Sequence, residues 1–313
     1  MHLILQKYNY FLHLQSLAES FFLFLQNKAK NVKIVYLNPT LCNPDGIERV
    51  LINQANYMAD VMGYDVSIVL TDGKGIPYGY PVSDKVNMIQ LNVGFYERTS
   101  KCSRWKLWWM YFQKMRLYKK RLTEVLLSLR PDVTVTLLRR ELNFLHLIPD
   151  GSRKIGWVHL NRQNYRQIGF GPQRLRPILT YLWQKLFIHQ LKRLDRLVVL
   201  TKEDSMQWEK DLTRVITIPN PLSFYIDSSG LCHDSKHVRE HTVIAVGRYA
   251  HQKGFDRLIR IWSEVYQQFP QWQLHIYGRG DRTYYQQLVA HFHLQESCFL
   301  HPFESAVQSI YNT

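Results

Sequence analysis

Between Val243 and Ile259 the chain sets an apolar run, a glycine, two cations and a second glycine in front of a helical pattern. Val243, Ile244, Ala245 and Val246 read as a buried strand, and Gly247 turns the chain. Arg248 and Lys253 follow, then Gly254, then Phe255, Leu258, Ile259 and Trp262 at the spacing of one helix face. A strand feeding a helix through a short basic loop is suited to hold an anion. The first helical turn has unpaired N–H groups and the positive end of the macrodipole. Arg248 and Lys253 add two full charges, Arg as a fork onto phosphate oxygens and Lys as a point charge. A diphosphate matches this arrangement. Fixed cations accelerate a reaction most where negative charge grows on a leaving group.

Other positions could serve a ligand at the end of a parallel sheet. Gly46 follows the first strand and opens a helix, where backbone can approach a phosphate or a sugar. His159 ends the apolar strand Ile155–Val158 at the edge where such sheets bind ligands. Gly278 and Gly280 close a later strand and could admit a nucleotide or simply make a turn. Residues 101–121 carry eight Lys or Arg and no acid, interleaved with Trp105, Trp108, Trp109, Tyr111, Phe112 and Tyr118. A basic helix of this kind suits a lipid headgroup layer. Arg104, Trp105, Lys106, Trp108 and Trp109 are its candidate membrane or acceptor contacts, and Arg139, Arg140, Arg174 and Arg176 add basic surface.

The elements that must position these residues alternate strand and helix. Strands are expected at Val32–Leu37, Tyr64–Leu70, Val86–Leu91, Val133–Leu137, Lys154–Val158, Arg196–Leu200 and Val215–Ile218. Helical patterns fill 47–61, 104–129, 174–194 and 202–211. Arg130-Pro131 stops the long helix. Such alternation implies an α/β fold with mainly parallel sheets covered on both faces. The polar, aperiodic stretch 221–241 reads as a linker between a domain at 31–220 and a second β-α series at 242–313. Residues 1–30 are too interrupted to span a membrane and read either as an appended helix or as a segment upstream of the true start.

Composition narrows the partners. A formal charge of +15 over 313 residues points to phosphates, nucleic acid or an anionic membrane. No helix-turn-helix, zinc-finger or RRM signature supports nucleic acid, and no G-x-G-x-x-G follows the first strand. The four cysteines lie far apart, which gives no zinc spacing and suits a reducing cytoplasm.

Four stretches, in order, resemble the GT-B retaining glycosyltransferases of family 4. They are Asp45–Val50, Ile155–Asn161, Val198–Asp204 with Ile216–Pro221, and Gly247–Gly254 with Ile276–Gly280. The resemblance implies two Rossmann-like doubly wound domains, acceptor-side first, the second incomplete at 72 residues by count from Thr242 to Thr313. It implies sugar transfer with retention from a nucleotide diphosphate donor, UDP expected. The acceptor would be a glycan or lipid-linked, in polysaccharide or cell-surface glycan assembly, in the cytoplasm or on the inner face of its membrane. Arg248 and Lys253 would grip the diphosphate and His159 would lie near the donor sugar. Gly46, Gly247, Gly278 and Gly280 would admit the donor. No metal or other cofactor is expected, and the chain has no Asp-x-Asp motif. It ends at Thr313, before the family's paired glutamates with seven residues between them. Turnover is therefore expected to be poor or absent, and a non-catalytic relic is the alternative reading.

Overall fold

The computed structural model describes residues 32–42, 45–96, 103–162, 176–221 and 241–304. The expected segment at 1–30, most of the expected linker and the chain from residue 305 onward lie outside them. Chain contacts divide the protein into two units, Met1–Ser223 and Phe224–Thr313.

Unit 1, among the described residues, holds a seven-stranded parallel sheet: β1 (Lys33–Asn38), β2 (Asp65–Leu70), β3 (Asn87–Gln90), β4 (Val133–Thr136), β5 (Arg153–Trp157), β6 (Arg196–Val199) and β7 (Val215–Thr217). Their order is β3-β2-β1-β4-β5-β6-β7, and every pairing is parallel. Each strand lies within a residue or two of its sequence reading. The helices are α1 (Gly46–Asp60), α2 (Arg104–Leu129), α3 (Arg176–Leu191) and α4 (Lys202–Trp208).

Strand β1 is apolar from Ile34 to Leu37 because it is buried on both faces there. Ile34 and Tyr36 join α1 residues Leu51, Ile52 and Ala55 in one core. Val35 and Leu37 join α2 residues Tyr118, Leu122 and Leu126 in another. A third core gathers Phe187 and Leu191 of α3, Trp208 of α4, and Leu197 and Val199 of β6. Helix α4 starts at a side-chain cap: Thr201 Oγ1 accepts the Asp204 N–H at 3.2 Å. It ends at Trp208 rather than at Asp211, since Glu209 continues only as a turn.

Unit 2, among the described residues, holds three parallel strands in the order β10-β9-β8. These are β8 (Thr242–Val246), β9 (Gln273–Tyr277) and β10 (Cys298–His301), with α5 (Phe255–Gln268) and α6 (Thr283–His291). Leu274 and Ile276 face the helices and are fully buried beside Ile259 and Trp262. On the other face His275, Tyr277 and His301 remain half-buried, their rings stacked with His301 4.3 Å from Tyr277 and 5.1 Å from His275.

The loops after β8 and β9 interlock. Gly247 N donates to Tyr277 O at 3.0 Å, and Tyr249 N donates to Arg279 O at 2.8 Å. A Cβ on Gly278 would collide with the Gly247 carbonyl, and one on Gly280, at φ 123°, would stand 3.0 Å from the Tyr249 carbonyl. Backbone cannot yield as a side chain can. We therefore expect Gly278→Ala to cost about 1–3 kcal/mol in urea unfolding. Gly46→Ala meets open space and should stay within about 0.5 kcal/mol of the parent.

Candidate ligand sites

In a parallel sheet each strand enters its connecting helix at the carboxyl edge, so the loops there converge. Unit 1 has a cleft of about 1450 Å³ at that edge. Asn38 at the end of β1, Pro39 and Thr40 after it, Asp72 and Gly73 after β2, and Arg139 and Arg140 after β4 line it. So do Asp45 and Glu48 at the start of α1. Gly46 opens α1 between them, with open space where a Cβ would stand.

The Arg139–Arg140 turn is held from beneath by a buried carboxylate. Glu141, 2% exposed, accepts the Tyr118 hydroxyl at 3.2 Å, the Arg139 N–H at 3.0 Å and the Thr136 hydroxyl. Leu138 takes a left-handed φ of 56° to make this turn. The Arg140 guanidinium lies 4.4 Å from the Phe95 ring centre and 5.8 Å from that of Tyr96, a cation–π arrangement. Sequence reading took this pair for basic surface. Its place in the cleft comes from Glu141, whose partners Thr136 and Tyr118 stand on β4 and α2.

His159 lies two residues past β5 and is half-buried. Its ring centre is 4.3 Å from that of Trp157. Burial first, and the Arg139 charge second, hold its pKa down at about 4, below the ordinary 6.5. Its Nε2 and the Nε1 of buried Trp157 have no hydrogen-bond partner among the described residues. The end of β5 thus holds a neutral imidazole packed near a buried indole.

Unit 2 places Arg248 and Lys253 on one loop at the carboxyl end of β8, both exposed. The Lys253 stem lies against Gly247, 3.5 Å from where a Cβ would stand. Arg279, on the interlocked loop after β9, brings a third cation to this edge, its guanidinium 5.2 Å from the Phe303 ring centre. Gly278-Arg279-Gly280 repeats the glycine-arginine signal of Gly247-Arg248, so Arg279 was open to the same reasoning. Tyr249 was not. Its hydroxyl, buried between Ile276 O at 2.7 Å and His301 O at 2.9 Å, pins the loop to the sheet, and its pKa is pushed up to about 12, mainly by burial. Gly254 takes a left-handed φ of 69° at the N-cap of α5. The structure gives Gly278 and Gly280 a packing role against the 247–249 backbone; no nucleotide is needed to explain them.

The candidate membrane contacts stand on the first turns of α2, which Arg104 opens. Trp105, Trp108 and Trp109 are 83%, 69% and 60% exposed, and Lys106 is exposed beside them. No helix among the described residues is long and apolar enough to cross a membrane.

Comparison with known proteins places this architecture. Residues 234–313 match the family described as Glycosyl transferases group 1. An uncharacterized glycosyltransferase of Haemophilus influenzae is 26% identical over 253 residues, 80% of this chain and 62% of that protein. The amylovoran biosynthesis glycosyltransferase AmsD of Erwinia amylovora is 26% identical over 274 residues, 85% of this chain and 67% of that protein. The chain thus spans about two thirds of the length of these relatives. Staphylococcus aureus TarM, crystallised with fondaparinux, α-GlcNAc-glycerol and UDP, superposes with a TM-score of 0.61 at 12% identity, covering 90% of this chain and 79% of that one. Sucrose-phosphate synthase of Thermosynechococcus elongatus gives 0.61 at 15% identity, covering 87% and 71%. The fold is α/β, of the GT-B type with Rossmann-like parallel-sheet units.

The depressed pKa of His159 sets a pH dependence. The neutral ring is the favoured folded form. Its contribution to stability is present above the ordinary pKa of 6.5 and is lost as pH falls from there toward 4. We expect the His159 ring resonances to titrate near pH 4, and Arg139→Gln to move that midpoint upward. A midpoint at 6.5 in the parent would refute the buried, neutral ring.

Proposed function

We propose that this chain is a family 4 retaining glycosyltransferase. It transfers a sugar from a nucleotide diphosphate donor, a UDP-sugar, to a glycan or lipid-linked acceptor in surface polysaccharide assembly. The observation that carries the reading is the double loop of unit 2. Arg248, Lys253 and Arg279 stand on two interlocked loops at the carboxyl edge of a parallel sheet, on backbone locked by Gly278 and Tyr249. The match of residues 234–313 and the two glycosyltransferase relatives support it.

In this reading the cations receive the diphosphate as the sugar–oxygen bond breaks. They neutralise charge that is absent from the intact glycoside, so they favour the transition state over the bound donor. Side chains replace a divalent metal in that task, and EDTA should leave UDP affinity unchanged. His159, neutral at physiological pH, meets a sugar hydroxyl at the end of β5 in unit 1 without adding charge. Unit 1 receives the acceptor in its cleft. The exposed tryptophans and lysines of α2 rest on the anionic inner face of the cytoplasmic membrane, each basic residue near the surface contributing about 1 kcal/mol.

Calorimetric titration with UDP tests the donor site. Arg248→Ala and Lys253→Ala should each weaken binding about tenfold to a hundredfold, the usual loss for a hydrogen bond to a charged group. Unchanged affinity in both variants would remove the site. UDP binding without turnover of any UDP-sugar would leave the chain a binding protein, the second reading. Sedimentation with phosphatidylglycerol vesicles tests the membrane contact: Trp105→Ala with Trp108→Ala should cut the bound fraction severalfold.

A further inference from the structure

Helix α3 carries no acid and is apolar almost all round, the pattern of a buried helix. Yet it is largely exposed. Ile178, Tyr181, Leu182 and Leu186 are each more than half exposed. Its stripe Leu179, Leu182, Trp183 and Leu186, continued by Phe187 and Gln190, lines one wall of the unit 1 cleft. Gln190 Nε2 fixes the lower end of this wall by donating to Asn143 Oδ1 at 2.6 Å. Tyr96 and Tyr111 also line the cleft. At the carboxyl end of β4, in the same cleft, stand Arg139 and Arg140. The acids that line it are Asp45, Glu48 and Asp72. Asp45 and Glu48 stand at the start of α1, and Asp72 accepts the Phe95 N–H at 2.7 Å and the Thr71 hydroxyl at 2.8 Å.

An apolar face of this extent beside two arginines has a chemical complement. A free glycan has hydroxyls to satisfy, and leucine side chains satisfy none. A soluble sugar phosphate would use the arginines and leave the leucines wet. We infer that the unit 1 cleft binds a lipid phosphate: the phosphate or diphosphate on Arg139 and Arg140, the first hydrocarbon segments along Leu179, Leu182, Trp183 and Leu186 of α3. This deepens the proposed function by choosing a lipid-linked acceptor over a free glycan, and only the word acceptor rests on that reading.

The test uses the full chain and three probes in calorimetry: farnesyl phosphate, isopentyl phosphate and farnesol. Farnesyl phosphate should bind at least about tenfold tighter than isopentyl phosphate, the effect of burying about two further methylenes. It should likewise exceed farnesol about tenfold. L182S with L186S should abolish the advantage of the longer chain while a phosphate preference remains. R139Q with R140Q should abolish the phosphate preference while the chain-length effect remains. Leu182 and Leu186 are exposed, so the melting temperature should hold in that variant. Equal affinity for the two phosphates would overturn the inference, as would a chain-length effect that survives L182S with L186S. A dimer in sedimentation velocity that L182S with L186S dissociates would assign the face to a second copy instead. UDP affinity, measured on the same variants, reports unit 2 alone, so failure here is distinguishable from failure of the donor site.

Discussion

Parallel strands cannot be joined by tight turns, and this governs where chemistry can occur in both units. Each strand must return to its starting edge through a crossover, usually a helix. Every strand-to-helix loop therefore leaves from the same edge. In unit 1 that edge collects the ends of β1, β2, β4 and β5; in unit 2 it collects the ends of β8 and β9. Strands β1, β2 and β4 of unit 1 are buried on both faces and leave little freedom in their interiors. The cleft and the basic double loop lie at the edges of the sheets, where polar groups gather without cost to the core.

Rigidity at these loops comes from pairs of small decisions. In unit 2 the absence of a side chain at Gly278 lets two loop backbones touch, and Tyr249 ties them to two strand carbonyls. Cations mounted on such a base need little reorganisation to meet an anion, the condition under which fixed charges act most strongly. In unit 1 a single carboxylate, Glu141, does comparable work. Its oxygens are satisfied by Tyr118, Thr136 and the Arg139 N–H. The two arginines above it keep their side chains for the cleft.

Much of the fold was legible because it rests on local signals. The limits of α2 at Arg104 and Leu129 follow from aromatic periodicity and the Arg130-Pro131 stop. The strands of the first sheet follow from short apolar-rich runs, three to six residues long. The site was legible only in part. Arg248 and Lys253 stand in a local pattern, and the structure sets them on one loop. Glu141 gave no warning, since a lone glutamate in Arg-Arg-Glu reads as surface and its burial depends on Tyr118, distant in sequence. Helix α3 misled in the opposite sense. Its apolar composition signals a core element, and only the packing reveals that Leu182 and Leu186 face open space. Gly278 signalled a close approach of backbone, and the Gly247 carbonyl lies where its Cβ would stand.

Helix α2 extends for 26 residues, about 39 Å at 1.5 Å per residue. Its root, at Tyr118, Leu122 and Leu126, is embedded in unit 1, whereas its tip carries the tryptophans into solvent. Such a rod behaves as a lever with a fixed fulcrum. Tyr118, the outermost embedded residue, is the one that donates to Glu141. The rod's embedded end thus lies one hydrogen bond from the arginine turn, and its far end stands in solvent.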